Sequence, residues 1–158
     1  MILELKRSYR RAWILDGVLY VNGEPEFDTS ENATHALPPG PYRLDRRPCR
    51  QYGIVKAVLL VQGVAEAAAA GEPAECAHCP KLNEVYLNTN LPVFCPQIKM
   101  GNGIHGRTDG SILIGTRIVP GVLKPEPNLF ASLHERIRKE IARGAEITLV
   151  ISEKTNPL

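Results

Sequence analysis

A chain of 158 residues, 44% hydrophobic and 23% charged, suits one soluble globular domain that buries about two-thirds of its unfolded surface. Its formal charge of +2 is too small to argue for nucleic acid, so no nucleic-acid partner is expected. The opening Met1-Ile-Leu-Glu-Leu-Lys-Arg7 lacks the features of a signal peptide, and the longest apolar run, Ala57-Val-Leu-Leu-Val61, falls far short of a membrane span. No membrane partner is expected, and the cytoplasm is the default compartment, with a phage particle or non-classical export as the alternatives.

Residues Ile2 to Tyr9 alternate apolar and polar, the mark of a strand with one buried face. Trp13-Ile-Leu15, Val18-Leu-Tyr-Val21 and Glu24 to Phe27 follow, separated by Asp16-Gly17 and Asn22-Gly23. Both dipeptides signal hairpins, because a type I′ turn needs positive φ at its two central residues. The pattern predicts a meander of three or four strands up to about Asp28. Thr29 to His35 reads as loop, and Leu37-Pro-Pro-Gly-Pro41 as a rigid turn into an extended piece, Tyr42 to Asp45. Arg43, Arg46, Arg47 and Arg50 then form a basic cluster, either a solvated loop or a contact for an anionic partner. Ile54 to Gln62 has the β-branched, apolar character of a buried strand.

Composition changes over Val64 to Gly71, where Ala67 to Ala70 run together. Eight residues are too few to hold a helix alone, so residues 64–82 read as an insertion on a single domain spanning 1–158. Glu84 to Leu87 and Val93-Phe94 are short strand candidates, and Ile112 to Thr116 is another. Past the proline-broken loop at Pro120, Pro125 and Pro127, Asn128 is an expected N-cap. Leu129, Phe130, Leu133, Ile137 and Ile141 recur at helical spacing, and Gly144 stands at the expected stop. Glu146 to Ser152 closes the chain as a strand. The sum is an α+β domain with a mainly antiparallel, curved or barrel-like sheet and one C-terminal amphipathic helix. His35 and His134 read as surface or packing residues, and Trp13, Tyr20, Phe27 and Tyr42 as core aromatics.

Two sets of residues carry chemistry. Cys76-Ala-His-Cys79, with Cys95 downstream and Cys49 upstream, has spacing compatible with a structural zinc ion, His78 being an alternative ligand. Disulfides and ordinary thiols are the competing readings. The other set lies in Gly101-Asn-Gly-Ile-His-Gly-Arg-Thr-Asp-Gly-Ser111 and the apolar Ile112-Leu-Ile114 that follows. If the stretch turns back on itself, His105 can serve as base to the Ser111 hydroxyl, with Asp109 orienting the imidazole. The backbone amides of Gly110 and Ser111 would receive an oxyanion. The plainer alternatives are a braced loop, in which His105 and Asp109 form hydrogen bonds around a small Ser111, and a non-catalytic binding surface that includes Arg107, Thr108 and Gly110.

Three segments carry a resemblance: Asp16 to Glu24 with Phe27-Asp-Thr-Ser-Glu31, then Ala36-Leu-Pro-Pro-Gly-Pro-Tyr42, then Ile104-His105 with Thr108 to Gly115. In that order they resemble domain-of-unknown-function family 5675, a family of small bacterial and phage proteins, over roughly residues 2 to 152 with 64–82 unmatched. The last segment is also similar to a compressed L,D-transpeptidase signature, in which His-Gly precedes Ser-His-Gly-Cys and an apolar strand. The nucleophilic Cys of that pattern falls on Ser111 and its His on Asp109, leaving His105 as the imidazole. The resemblance implies either acyl transfer or hydrolysis on cell-wall peptides, or an accessory protein that binds an unidentified protein or peptide through the same loop. Serine in place of the more readily ionised cysteine, and the missing signal peptide, favour the second.

Overall fold

Side chains that alternate in and out organise most of the chain. The computed structural model describes residues 1–51, 54–63, 96–101 and 110–154. Among these residues nine strands run in chain order: β1 (Ile2–Arg11), β2 (Ile14–Val21), β3 (Glu24–Asn32), β4 (Gly40–Gln51), β5 (Ile54–Gln62), β6 (Gln97–Met100), β7 (Ile112–Val119), β8 (Val122–Lys124) and β9 (Ile147–Glu153). A helix, α1 (Pro127–Ala142), precedes β9.

Strand neighbours follow the order β3-β2-β1-β9-β4-β5-β6-β7-β8, and β3 also pairs with β7. That extra pairing closes eight strands into a barrel and leaves β8 attached to β7 alone. The expectation of a β-rich, barrel-like domain with a C-terminal helix holds, although the described residues are mostly β and match the α+β class only in part. The antiparallel expectation holds only in part, because β1–β9 and β6–β7 are parallel. Parallel partners lie far apart in sequence, so no local turn signal announces them.

Inward residues of all eight barrel strands form one core, including Leu3, Leu5, Leu19, Leu44, Leu59, Ile98, Ile112, Ile114 and Leu149. Leu133 and Ile137 of α1 are fully buried in the same core. The helix lies across the end of the barrel where β1 begins, since Met1 and Asn22 line a hollow with Arg136, Arg138 and Arg143. Burying each of these two helix side chains contributes about 1.5–3 kcal/mol. The expected apolar stripe is correct except at Leu129, which is 51% exposed. The helix begins one residue before the expected cap, with Glu126 at the N-cap position, no side-chain capping bond and Pro127 in the first turn. Proline suits that place, its φ being preset and its missing N–H not needed there. Gly144, at φ +80°, follows the C-cap as expected.

The row Leu3, Leu5, Arg7 points inward along β1, so a guanidinium stands where the alternation calls for an apolar group. Arg7 lies roughly 13 Å along the strand from Leu3, toward the barrel end away from the helix. Its Nε and Nη2 donate to the two carboxylate oxygens of Glu31, each at 2.8 Å, and Nη2 also donates to the Leu37 carbonyl at 2.8 Å. Both side chains are 1% exposed. Burial pushes the Glu31 carboxyl up from its ordinary value, and the hydrogen bond and charge of Arg7 pull it back.

A second polar knot secures the closure. β3 and β7 share only the pairs Asp28–Gly115, Thr29–Ile114 and Ser30–Leu113. Beside them Asp16 accepts from Ser30 Oγ at 2.5 Å and from the Gly121 amide at 3.0 Å, and pairs with Arg117 Nη1 at 2.7 Å. Arg117 Nη2 donates to the carbonyls of Gly17 and Thr29, and the Arg117 amide donates to Asp28 Oδ2. One arginine thus ties β2, β3 and β7 together.

This knot explains a misreading of the sequence. Asp16-Gly17 is not a turn; it lies inside β2, opposite Tyr9 and Arg7 of β1. Asp16 is there for its carboxylate, and Gly17 because a Cβ would sit 2.3 Å from the Lys6 carbonyl oxygen. The hairpin turns instead at Ala12-Trp13, where Ala12 takes φ +50° and Trp13 is 53% exposed rather than in the core. Asn22-Gly23 is a turn as expected, with φ of +49° and +87°. β3 extends to Asn32, into residues expected to be loop, because Thr29, Ser30 and Glu31 are drawn into the two polar networks. The basic cluster from Arg43 lies on β4 rather than in a loop, and β8, unexpected from sequence, pairs with β7. Glu84–Leu87, Val93-Phe94 and the insertion at 64–82 lie outside the described residues. Among the described residues, no helix is long and apolar enough to cross a membrane.

Candidate functional site

The glycine-rich stretch joins β6 to β7, and its two ends are held side by side. Ile98 pairs with Ile112, Lys99 with Leu113 and Met100 with Ile114, in parallel register. Gly101 packs on Leu113, and Gly110 takes φ +79° just before Ser111. Ser111 is 2% exposed, and its Oγ accepts the Gln97 backbone N–H at 3.2 Å. That bond occupies a lone pair of the hydroxyl. His105, Arg107, Thr108 and Asp109 lie outside the described residues, so of the proposed catalytic and binding residues only Ser111 and Gly110 are placed.

Cys49 is fully buried on β4. Cys76, His78, Cys79 and Cys95 lie outside the described residues. Among the described residues no group of three His, Cys, Asp or Glu side chains is arranged to hold a metal.

Next to the first anchored end of the glycine-rich stretch, the barrel wall opens. The β5–β6 ladder consists of Leu59–Ile98 and Leu60–Gln97, continued by the Val61 N–H to the Pro96 carbonyl, and no further pair is formed toward Ala57 and Met100. A cavity of about 290 Å³ lies in the split, bounded by Lys56, Ala57, Lys99 and Met100 from the strands and by Phe130 and His134 from α1. A neighbouring hollow of about 400 Å³ shares Ala57, Met100, Phe130 and His134 and reaches Arg46 and Glu135. Together they make a groove between the first turns of the helix and the rim of the barrel.

The groove has a fixed polar centre. His134 stands edge-on to Phe130, with ring centroids 4.7 Å apart. Its Nδ1 accepts from Arg46 Nε at 3.3 Å, which leaves the ring proton on Nε2. Burial, and then the charge of Arg46, push the imidazole down to a pKa of about 4, so it is neutral at physiological pH. The carboxylate at the groove, Glu135, is taken up by Arg138 through bonds of 2.9 and 2.6 Å. Among the described residues, Arg46 and Lys56 therefore stand at the groove with no carboxylate in ion-pair distance, and Lys99 lines it beside them.

Sequence reasoning singled out Arg46 within a run of arginines but did not connect it with His134, 88 residues away. Periodicity alone would have set His134 beside Phe130 and Leu133 on the buried side of the helix. Its partner on β4 follows only from barrel closure. Comparison of the chain with protein-family models, with curated proteins and with solved structures finds no match in any of the three.

Proposed function

We propose that the protein is a non-catalytic binding module, of the bacterial or phage-associated accessory kind, that takes a protein or peptide partner through residues 101–115. The observation that carries this reading is the burial of Ser111. A nucleophilic hydroxyl must be reachable by a carbonyl carbon. Ser111 is buried, and its hydroxyl accepts a backbone amide. In that position it serves as a peg fastening the root of the stretch to β6. The parallel pairing on either side supports the same role, since it holds both ends of the stretch on a rigid wall.

The competing reading is acyl transfer of the L,D-transpeptidase kind on cell-wall peptides, with Ser111 attacking, His105 as base and Asp109 orienting it. Incubation with purified disaccharide-tetrapeptide muropeptides, followed by mass spectrometry of products and protein, separates the two. The binding reading expects no turnover and no acyl adduct from the wild-type chain or from Ser111→Ala. It also expects a photo-crosslinking residue at Thr108 to capture a discrete partner in cells, while one at Lys139 does not. Turnover that disappears in Ser111→Ala would replace the binding module with the enzyme.

A further inference from the structure

We propose that the groove between α1 and the split edges of β5 and β6 binds a small molecule carrying an oxyanion, a phosphate ester or a carboxylate, on an apolar body. The site is separate from the reading of residues 101–115, since every group it uses lies outside that stretch.

Charge selects the head group. Arg46 commits its Nε to His134, and no carboxylate lies within ion-pair distance of it among the described residues. Its outer Nη groups remain for a bidentate contact with a planar or tetrahedral oxyanion. Lys56 and Lys99 flank the opening on the strand side. The neutral His134 presents its Nε2–H as a donor that adds no charge. A single surface cation gains little by itself, but several converging on one concavity raise the local anion concentration.

Shape selects the body. At about 290 Å³ the cavity stands at the small end of ligand sites. The Met100 side chain and the Phe130 ring supply an apolar wall beside the cations, and Phe130 is held in place by its edge contact with His134. A bare inorganic ion would leave that wall unused.

The test is an NMR titration of the intact protein with phenyl phosphate, phenylacetate and inorganic phosphate in turn. Saturable shifts centred on Ala57, Met100, Phe130 and His134 are expected with at least one of the two aromatic ligands. That ligand should bind more tightly than inorganic phosphate by about fivefold or more. Whichever aromatic ligand binds more tightly identifies the head group, phosphate or carboxylate. Arg46→Gln and Lys56→Gln should each weaken it about fivefold, whereas Lys139→Gln, at the far end of the helix, should not. Lys56 is exposed, so its variant keeps the test intact if Arg46→Gln disturbs the fold. The proposal is overturned by shifts centred on residues 136–143, by equal weakening in Lys139→Gln, or by no saturable binding of either aromatic ligand.

Discussion

Replacing Glu31 by Leu tests what the buried ion pair does for the barrel. In the native chain Arg7 has two 2.8 Å bonds to Glu31 and one to the Leu37 carbonyl, with both charged side chains 1% exposed. Glu31→Leu leaves the guanidinium inside with that carbonyl and with Glu153, whose oxygen is 4.0 Å from Nη1 and already holds Arg10. Arginine cannot shed its proton, so the uncompensated charge persists at any accessible pH. Breaking one partner of such a pair costs about 3–5 kcal/mol, and the residual contact with Glu153 places the expectation near the lower figure. For a domain of this size a loss near that lower figure corresponds to roughly 6–12 °C in Tm.

The reciprocal variant should cost less. In Arg7→Met the stranded group is a carboxyl that burial already pushes up, and it can take a proton and become neutral. A carboxyl with a raised folded-state pKa favours the fold below its unfolded-state value and loses that contribution as pH rises through the folded-state value. Arg7→Met should therefore be more stable at pH 5 than at pH 8, relative to wild type. The double variant Arg7→Met/Glu31→Leu should recover to within about 1 kcal/mol of wild type or exceed it. Urea denaturation at both pH values, with m compared across the four proteins, supplies the cycle. A Glu31→Leu cost below about 1 kcal/mol, or a double variant as damaged as that single one, would refute the view that the pair is an obligatory unit.

Two further outcomes follow from the same chain. His134 should titrate near 4 by NMR, against 6.5 for the free side chain; the unfolded chain then binds the extra proton as pH falls from 6.5, so its contribution is present above that value and lost toward pH 4. Allowing for the partial exposure of the ring, the loss is on the order of 1–2 kcal/mol, and His134→Asn should remove that part of the slope between pH 7 and pH 4.5 in denaturation curves. Zinc ligation by Cys49, Cys76, Cys79 and Cys95 predicts about one zinc per purified chain by elemental analysis; metal-free protein whose thiols all alkylate would end it.

The elements legible in the sequence are those whose signal is local. Asn22-Gly23 is a turn because two adjacent residues must take positive φ, and α1 is a helix because Leu133 and Ile137 face one side of it. Asp16-Gly17 carries the same letters as a turn but is fixed by partners elsewhere: Arg117 and Gly121 for the carboxylate, and the β1 backbone for the missing Cβ. Arg7 likewise occupies an inward position that alternation assigns to an apolar group, and distant partners, Glu31 and the Leu37 carbonyl, make it tolerable. The helix groove was illegible for the same reason. Its cations sit on β4, β5 and β6, whose neighbourhood is created by closure and not by spacing.

The position of β9 sets the order of assembly. It is the last of the described strands in sequence, yet it lies between β1 and β4, parallel to the first and antiparallel to the second. Until residues 147–153 have left the ribosome, the wall has a gap one strand wide, with two rows of unsatisfied amides facing it. Until the keystone arrives, either bare row could recruit a strand from another molecule. Once that strand is seated, the outer margin left among the described residues is the three-residue β8, which is too short to template much of anything.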